Sequence, residues 1–178
     1  MSLALGDPAP ALELLDTQEE PHALPLPGEA PATVVVWTCN HCPYALAWHE
    51  RIQRAAAEYV RRGVRFLQVN SNDAERYPAD SLEAMRERVA AGEFEGPYLH
   101  DAEQIAAQAY GALKTPDVFV LDADLRLAYR GAPDADYEDP NQSAAWLRGA
   151  LDALLEGRSP DPAETPPVGC SVKWREGS

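Results

Sequence analysis

"VVVWTCNHCPY", residues 34–44, places two cysteines three positions apart, between an apolar run and a segment with helical spacing. "TVVVW", residues 33–37, is β-branched and apolar at both alternating positions, the pattern of a strand buried on both faces. From Pro43 the period changes. Trp48, Ile52, Ala55, Ala56 and Tyr59 recur at helical spacing with Glu50, Arg51, Arg54, Glu58 and Arg61 between them, until Gly63 stops the helix. Cys39 therefore lies just past the end of a buried strand, and Cys42 in the first turn of a helix. Free N–H groups and the positive dipole end at that terminus favour a thiolate, and His41 adds positive charge beside it. This reading makes Cys39 the exposed, low-pKa nucleophile and Cys42 the more buried resolving thiol. Attack by Cys39 on a substrate disulfide gives a mixed disulfide, which Cys42 cleaves.

The rest of the chain limits what this pair can serve. Its 178 residues, 46% hydrophobic, suit one core. A net charge of −14, with Lys114 and Lys173 as the only lysines, argues against nucleic acid or an anionic membrane as a partner. No Lys or Arg precedes Arg51 and no apolar run is long enough to span a bilayer, so the expected location is the cytoplasm. In a reducing compartment, a close cysteine pair points to redox chemistry or metal binding before a structural disulfide. Cys170 is left over.

Residues 7–32 are rich in proline and acids, with Leu12–Leu15 as a short edge strand or hairpin. "VRFLQVN", residues 64–70, reads as a second strand. A loop, "SNDAERYPAD", leads to a helix over 80–91 capped by Asp80 or Ser81. A short helix spans 102–110. "DVFVL" and "LRLAYR", residues 117–121 and 125–130, form an antiparallel hairpin across "DAD". The last helix spans about 141–156. A Pro-rich tail, 158–178, ends in "VGCSVKW", which carries residues suited to burial, so it is expected to pack on the domain of residues 1–157. A parallel unit followed by a hairpin gives an α/β fold, a mixed sheet with helices on both faces.

The strand ending in "WTCNHCP", the amphipathic helix after it, and Lys114 followed by Thr115-Pro116 ahead of a hairpin together resemble the thioredoxin superfamily. "GDPAPALEL" near the start is similar to the opening of its alkyl hydroperoxide reductase and thiol-specific antioxidant branch. The resemblance covers roughly residues 5–157 and implies a thioredoxin-like fold with an N-terminal extension over 1–32. It implies that Pro116 is cis and faces the cysteines, and that Thr115 offers backbone groups to an extended substrate; Trp37 and Tyr44 read as core or as the rim of that groove. Asn40-His41 stands where thioredoxin has Gly-Pro, Thr33 where it has a buried Asp, and Ala45 where some relatives have Glu. A His before the second cysteine should make the pair more oxidising than thioredoxin.

The implied activity is thiol–disulfide exchange on a protein disulfide or a small thiol, with an unidentified electron donor, no organic cofactor and no metal. Zinc would need two further ligands, for which Cys170 and His49 are available in type only. "DADYEDP", residues 134–140, lacks the spaced acids of a calcium loop and reads as solvated. A thiol peroxidase is the alternative reaction. The residues expected upstream of a peroxidatic cysteine are absent, while Arg130 could polarise a peroxide if it were not simply a solvated charge. A binding module without turnover is the third reading. Cys170 is either a packed small residue or, if the tail folds back, a third redox thiol.

Overall fold

Thr33–Trp37 forms strand β3, and each of its five residues is buried. In the computed structural model, which describes residues 3–24, 28 and 30–177, β3 pairs in parallel with β4 (Arg65–Asn70) and antiparallel with β7 (Asp117–Leu121). Strand β7 continues into β8 (Leu127–Gly131) as the predicted hairpin. On the other side, β4 pairs with β5 (Tyr98–His100), and β5 with the N-terminal hairpin of β1 (Leu12–Asp16) and β2 (Pro21–Leu24). The sheet therefore runs β2-β1-β5-β4-β3-β7-β8. Strand β5 has no signature in the sequence, because "YLH" is too short to display a period. Part of the N-terminal extension, residues 1, 2, 25–27 and 29, lies outside the described residues.

Alternation along β3 divides the core in two. Val34 and Val36 meet Trp48, Ile52, Ala55, Ala56 and Tyr59 of helix α1 (Pro43–Val60), reached also by Leu147 and Leu151. Val35 and Trp37 point the other way, onto Ala106, Ala107 and Tyr110 of helix α3 (Ile105–Tyr110). Each large side chain so buried contributes roughly 1.5–3 kcal/mol, which fixes the strand that carries the cysteines. Between β4 and β5 the chain makes a 3₁₀ turn, Pro78–Asp80, and helix α2 (Leu82–Ala90). Ser81 caps α2, its Oγ accepting from Ala84 N at 3.1 Å, so Asp80 is released for another role. The last helix, α4, spans Ala145–Leu155, later than the predicted start near 141.

Two polar readings are corrected here. Arg51, placed on the solvated side of α1, is buried: it stands three residues after Trp48 and four before Ala55, on the core face. Its guanidinium grips Asp134 (3.0 Å) and the carbonyls of Asp136, Tyr137 and Asp139. Asp134, read as part of a solvated loop, is buried with it and also accepts from Trp48 Nε1 at 2.8 Å and Ala144 N at 2.9 Å.

The tail is part of the same body. Thr165 N donates to Arg130 O at 3.0 Å, and Thr165 Oγ1 accepts from Ala132 N at 3.0 Å. Further on, β9 (Cys170–Ser171) pairs antiparallel with β6 (Lys114–Thr115), placing Cys170 opposite Thr115. Lys173 N donates to Asn72 Oδ1 at 2.8 Å, and Lys173 O accepts from Asp73 N at 2.8 Å. Among the described residues, no helix is long and apolar enough to cross a membrane.

Candidate active site

Strands β3 and β4 run parallel and end at the same edge of the sheet, so the segments that leave them meet there. After β3 come Cys39 and Cys42. After β4 come Ser71 and Asn72, and then the loop to Asp80. Cys42 is the N-cap of α1, one position before the predicted first turn, with Pro43 at the start of the helix where no amide hydrogen bond is lost. The Thr115–Pro116 peptide is cis, as the resemblance implied, and Pro116 and Thr115 are buried. Cys42 Sγ lies 3.2 Å from Thr115 O, which can accept from it when the thiol is protonated, and Cys39 Sγ donates to Thr115 Oγ1 at 3.6 Å. A second cis bond, Asp161–Pro162, lies in the tail.

Neither cysteine is exposed: both have 0% of their surface accessible, which corrects the expectation of an open Cys39. Their charge is also distributed the other way. At Cys42, the neighbouring thiols of Cys39 and Cys170, with help from the nearby amides of the helix start, outweigh burial and lower the pKa from 9.0 to about 4. At Cys39 the hydrogen bond to Cys42, burial and the negative field of Asp80 all push the pKa up. The balance of these effects favours the thiolate on Cys42 and the proton on Cys39.

Asp80 is the residue that sequence reasoning missed. Its side chain is wholly buried and accepts from Asn40 N (2.6 Å), Asn70 Nδ2 (3.1 Å) and Asn72 Nδ2 (3.0 Å). His41 Nδ1 lies 2.5 Å from its Oδ2, and the His41 ring stacks on Tyr77. The expectation that His41 tunes the thiolate directly is corrected by this contact. The ring faces Asp80, the carboxylate whose field reaches Cys39, so an effect of His41 on the thiols passes through Asp80. Asn40 completes the anchor: its Oδ1 accepts from Arg88 Nη1 and Tyr98 Oη, each at 2.8 Å. The available signal was positional, since polar residues that come after a strand parallel to β3 must arrive beside the cysteines. Cys39, His41 and Asp80 bring ligand atoms of metal-binding types within 4.8 Å of one another, with His41 Nδ1 engaged by Asp80 at 2.5 Å.

Other predicted residues are dispersed. Trp37 is not in a groove: it is fully buried on the α3 side of the sheet, with Nε1 donating to Ser71 Oγ at 2.9 Å, because its place in β3 turns it away from α1. Tyr44 is half-buried, packed on the cysteine cluster and against Tyr137 at 4.3 Å between ring centroids. His49 meets Glu93 O at 2.6 Å. Arg130 is not a solvated charge. It is mostly buried, donates to Gly111 O at 2.6 Å, lies 3.5 Å from Asp117 and covers the Phe119 ring, so it is committed elsewhere than to a peroxide. Cys170 packs on Cys39, Cys42 and Ala45, so the tail does fold back onto the pair.

The charge assignment has a direct pH consequence. In the reduced protein, the ultraviolet absorbance of thiolate should appear as pH rises through about 4, rather than near the ordinary thiol value of 9.0. Because this folded-state pKa is depressed, the stabilisation it gives the reduced protein is full above the unfolded value and is lost as pH falls toward about 4. A single absorbance step near the ordinary thiol value would show that no thiolate is held at Cys42.

Comparison with known proteins agrees with this architecture. The Redoxin family model matches residues 4–145. An uncharacterized conserved protein from Geobacillus kaustophilus is 38% identical, with 99% of this chain and 95% of that one aligned at a TM-score of 0.92. A hypothetical protein from Sinorhizobium meliloti 1021 is 36% identical over 99% of this chain and 98% of its own, at 0.91. Both alignments extend through the tail. Peroxidoxin BcpB from Mycobacterium tuberculosis, 18% identical over 88% of this chain and 99% of its own with a TM-score of 0.65, shares the fold. No curated protein matches the sequence. With a thioredoxin-like α/β fold, a Cys39–Cys42 pair at its strand-to-helix junction and a family match over most of its length, the chain belongs to the Redoxin family.

Proposed function

We propose that this protein is a thiol–disulfide oxidoreductase whose working couple is the Cys39–Cys42 dithiol. The observation that carries this reading is the packing of two cysteines at the strand-to-helix junction, with both sulfurs against Thr115 of the cis Thr115–Pro116 peptide. A thiolate next to a protonated thiol is already divided into the two forms that exchange requires. With a substrate disulfide RSSR, the pair becomes a Cys39–Cys42 disulfide. One RSH leaves with the proton of Cys39, and one RS⁻ carries the charge held by Cys42. Two electrons pass from the pair to the substrate, and a dithiol donor returns them in the reverse exchange.

A thiolate held well below its ordinary pKa stabilises the reduced pair, so the couple should be more oxidising than thioredoxin, with Cys39, Cys170 and the helix start as the cause in place of His41. The partners proposed are disulfide-containing molecules and an electron donor in a reducing compartment such as the cytoplasm. Titration in dithiothreitol redox buffers, with alkylation and peptide masses reporting each cysteine, tests the reading. Cys39 and Cys42 should convert together as one two-electron couple, between roughly −270 and −120 mV. Two thiols that titrate independently would rule it out.

A further inference from the structure

Cys39 and Cys42 are closed to solvent, while Cys170 is only half-buried. The three thiols pack in one cluster, with Cys42 Sγ against the Thr115 carbonyl and Cys170 on the strand position paired with Thr115. Cys170 is held there from both sides of the tail. Its own residue pairs with Thr115, Val172 N donates to Leu113 O at 3.0 Å, and Lys173 N donates to Asn72. Before it, Gly169 presses on the Thr115 carbonyl: a Cβ at that position would lie 2.3 Å from the oxygen, so only glycine lets the tail approach so closely. That carbonyl also lies against Cys42 Sγ. The extended segment seated beside the dithiol is therefore the chain's own, and it presents a cysteine.

On the reading that Cys39 and Cys42 form the working couple, we propose that Cys170 is a third exchange thiol. It passes the disulfide between the buried pair and small soluble thiols or disulfides that reach that pair directly only slowly. Starting from the oxidised pair, the Cys170 thiolate attacks Cys42 Sγ. The Cys42–Cys170 bond forms, the Cys39–Cys42 bond breaks, and Cys39 leaves as a thiolate that takes up a proton. A dithiol donor then attacks Cys170 and forms a mixed disulfide, with Cys42 as the leaving thiolate. The donor's second thiol closes its own ring and releases Cys170. Two electrons have moved from the donor to the protein. In the reduced protein, burial and the charge on Cys42 raise the Cys170 pKa to about 11, while Lys173 and Lys114 oppose the rise. Oxidation of Cys42 removes its charge and leaves the lysines, so Cys170 ionises more readily in the state in which it must attack.

The test compares full-length wild type, Cys170→Ser and Cys39→Ser, with Cys39→Ala as a substitute should the serine variant fail to fold. Each is oxidised with glutathione disulfide and mapped by peptide mass. Wild type and Cys170→Ser should both form Cys39–Cys42; if neither does, the exchange reading itself fails. Cys39→Ser should trap a Cys42–Cys170 disulfide. If wild type forms its pair but Cys39→Ser keeps two free thiols or a glutathione adduct, the relay alone is overturned. In single-turnover reduction of the Cys39–Cys42 disulfide by dithiothreitol, Cys170→Ser should be slower by at least about tenfold, since a buried disulfide then lacks its accessible entry point. An equal or faster rate would also overturn the relay.

Discussion

Replacing Cys42 with serine should abolish every redox couple in the protein, leaving Cys39 and Cys170 as separate thiols and exchange activity at the level of an unassisted thiol. Both disulfides of the proposed exchange, Cys39–Cys42 and Cys42–Cys170, run through this one atom, which packs in one cluster with the other two thiols. The substitution also separates chemistry from folding. Cys42 is the N-cap of α1 and its side chain makes no capping hydrogen bond. Serine is among the preferred residues there, worth about 1 kcal/mol relative to alanine, so the helix start should be kept or strengthened. At a pH below about 4, where the wild-type thiolate is protonated and contributes no stabilisation, the variant should therefore unfold at a denaturant concentration no lower than that of the reduced wild type. It should also lose the absorbance step near pH 4. Alkylation and peptide mapping after oxidation provide the decisive readout: a Cys39–Cys170 disulfide in Cys42→Ser would show that Cys42 is not the centre of the cluster.

The asymmetry among the three thiols marks where sequence stops being informative. The junction of β3 and α1 is legible because β-branched residues buried on both faces and a 3.6-residue period do not resemble each other, and the cysteines stand where the period changes. The position of the cis peptide comes from a resemblance that places Thr115-Pro116 beside the pair. The distribution of charge is not legible. A helix N-terminus and His41 argue for a thiolate in general, but which sulfur receives it depends on Asp80, forty residues from Asn40, and on Cys170, far beyond α4 in the chain. Asp80 reads as a helix cap because local pattern cannot distinguish it from Ser81 next door; only the 3₁₀ turn reveals that Ser81 caps and Asp80 faces inward. Trp37 misleads for a simpler reason. Two residues before Cys39 in sequence does not mean beside it in space, because alternation along a strand and the bend after it turn the indole to the opposite layer.

Arg51 extends the same lesson to stability, where Arg51→Met should cost about 3–5 kcal/mol. The side chain joins α1 to the loop before α4 through Asp134, whose carboxylate is completely buried. Methionine fills a similar volume but leaves that charge in the interior with only the Trp48, Asp136 and Ala144 N–H groups, and it strips a donor from the Asp136, Tyr137 and Asp139 carbonyls. Removing one partner of a buried pair is costly because the other remains uncompensated. For a chain of this size, each kcal/mol moves the midpoint by about 2–4 °C, so a fall in Tm of roughly 6–20 °C is expected. Arg62→Met supplies the contrast. Its pair with Asp152 is about half exposed on both sides, and its loss should cost no more than about 1 kcal/mol. Chemical denaturation of both variants in the reduced state distinguishes the two. If Arg51→Met fell within about 1 kcal/mol of wild type, as Arg62→Met should, the buried pair would not hold the loop. Tyr137, carried on that loop and packed against Tyr44, would then have to be kept beside the cysteine cluster by its ring contacts alone.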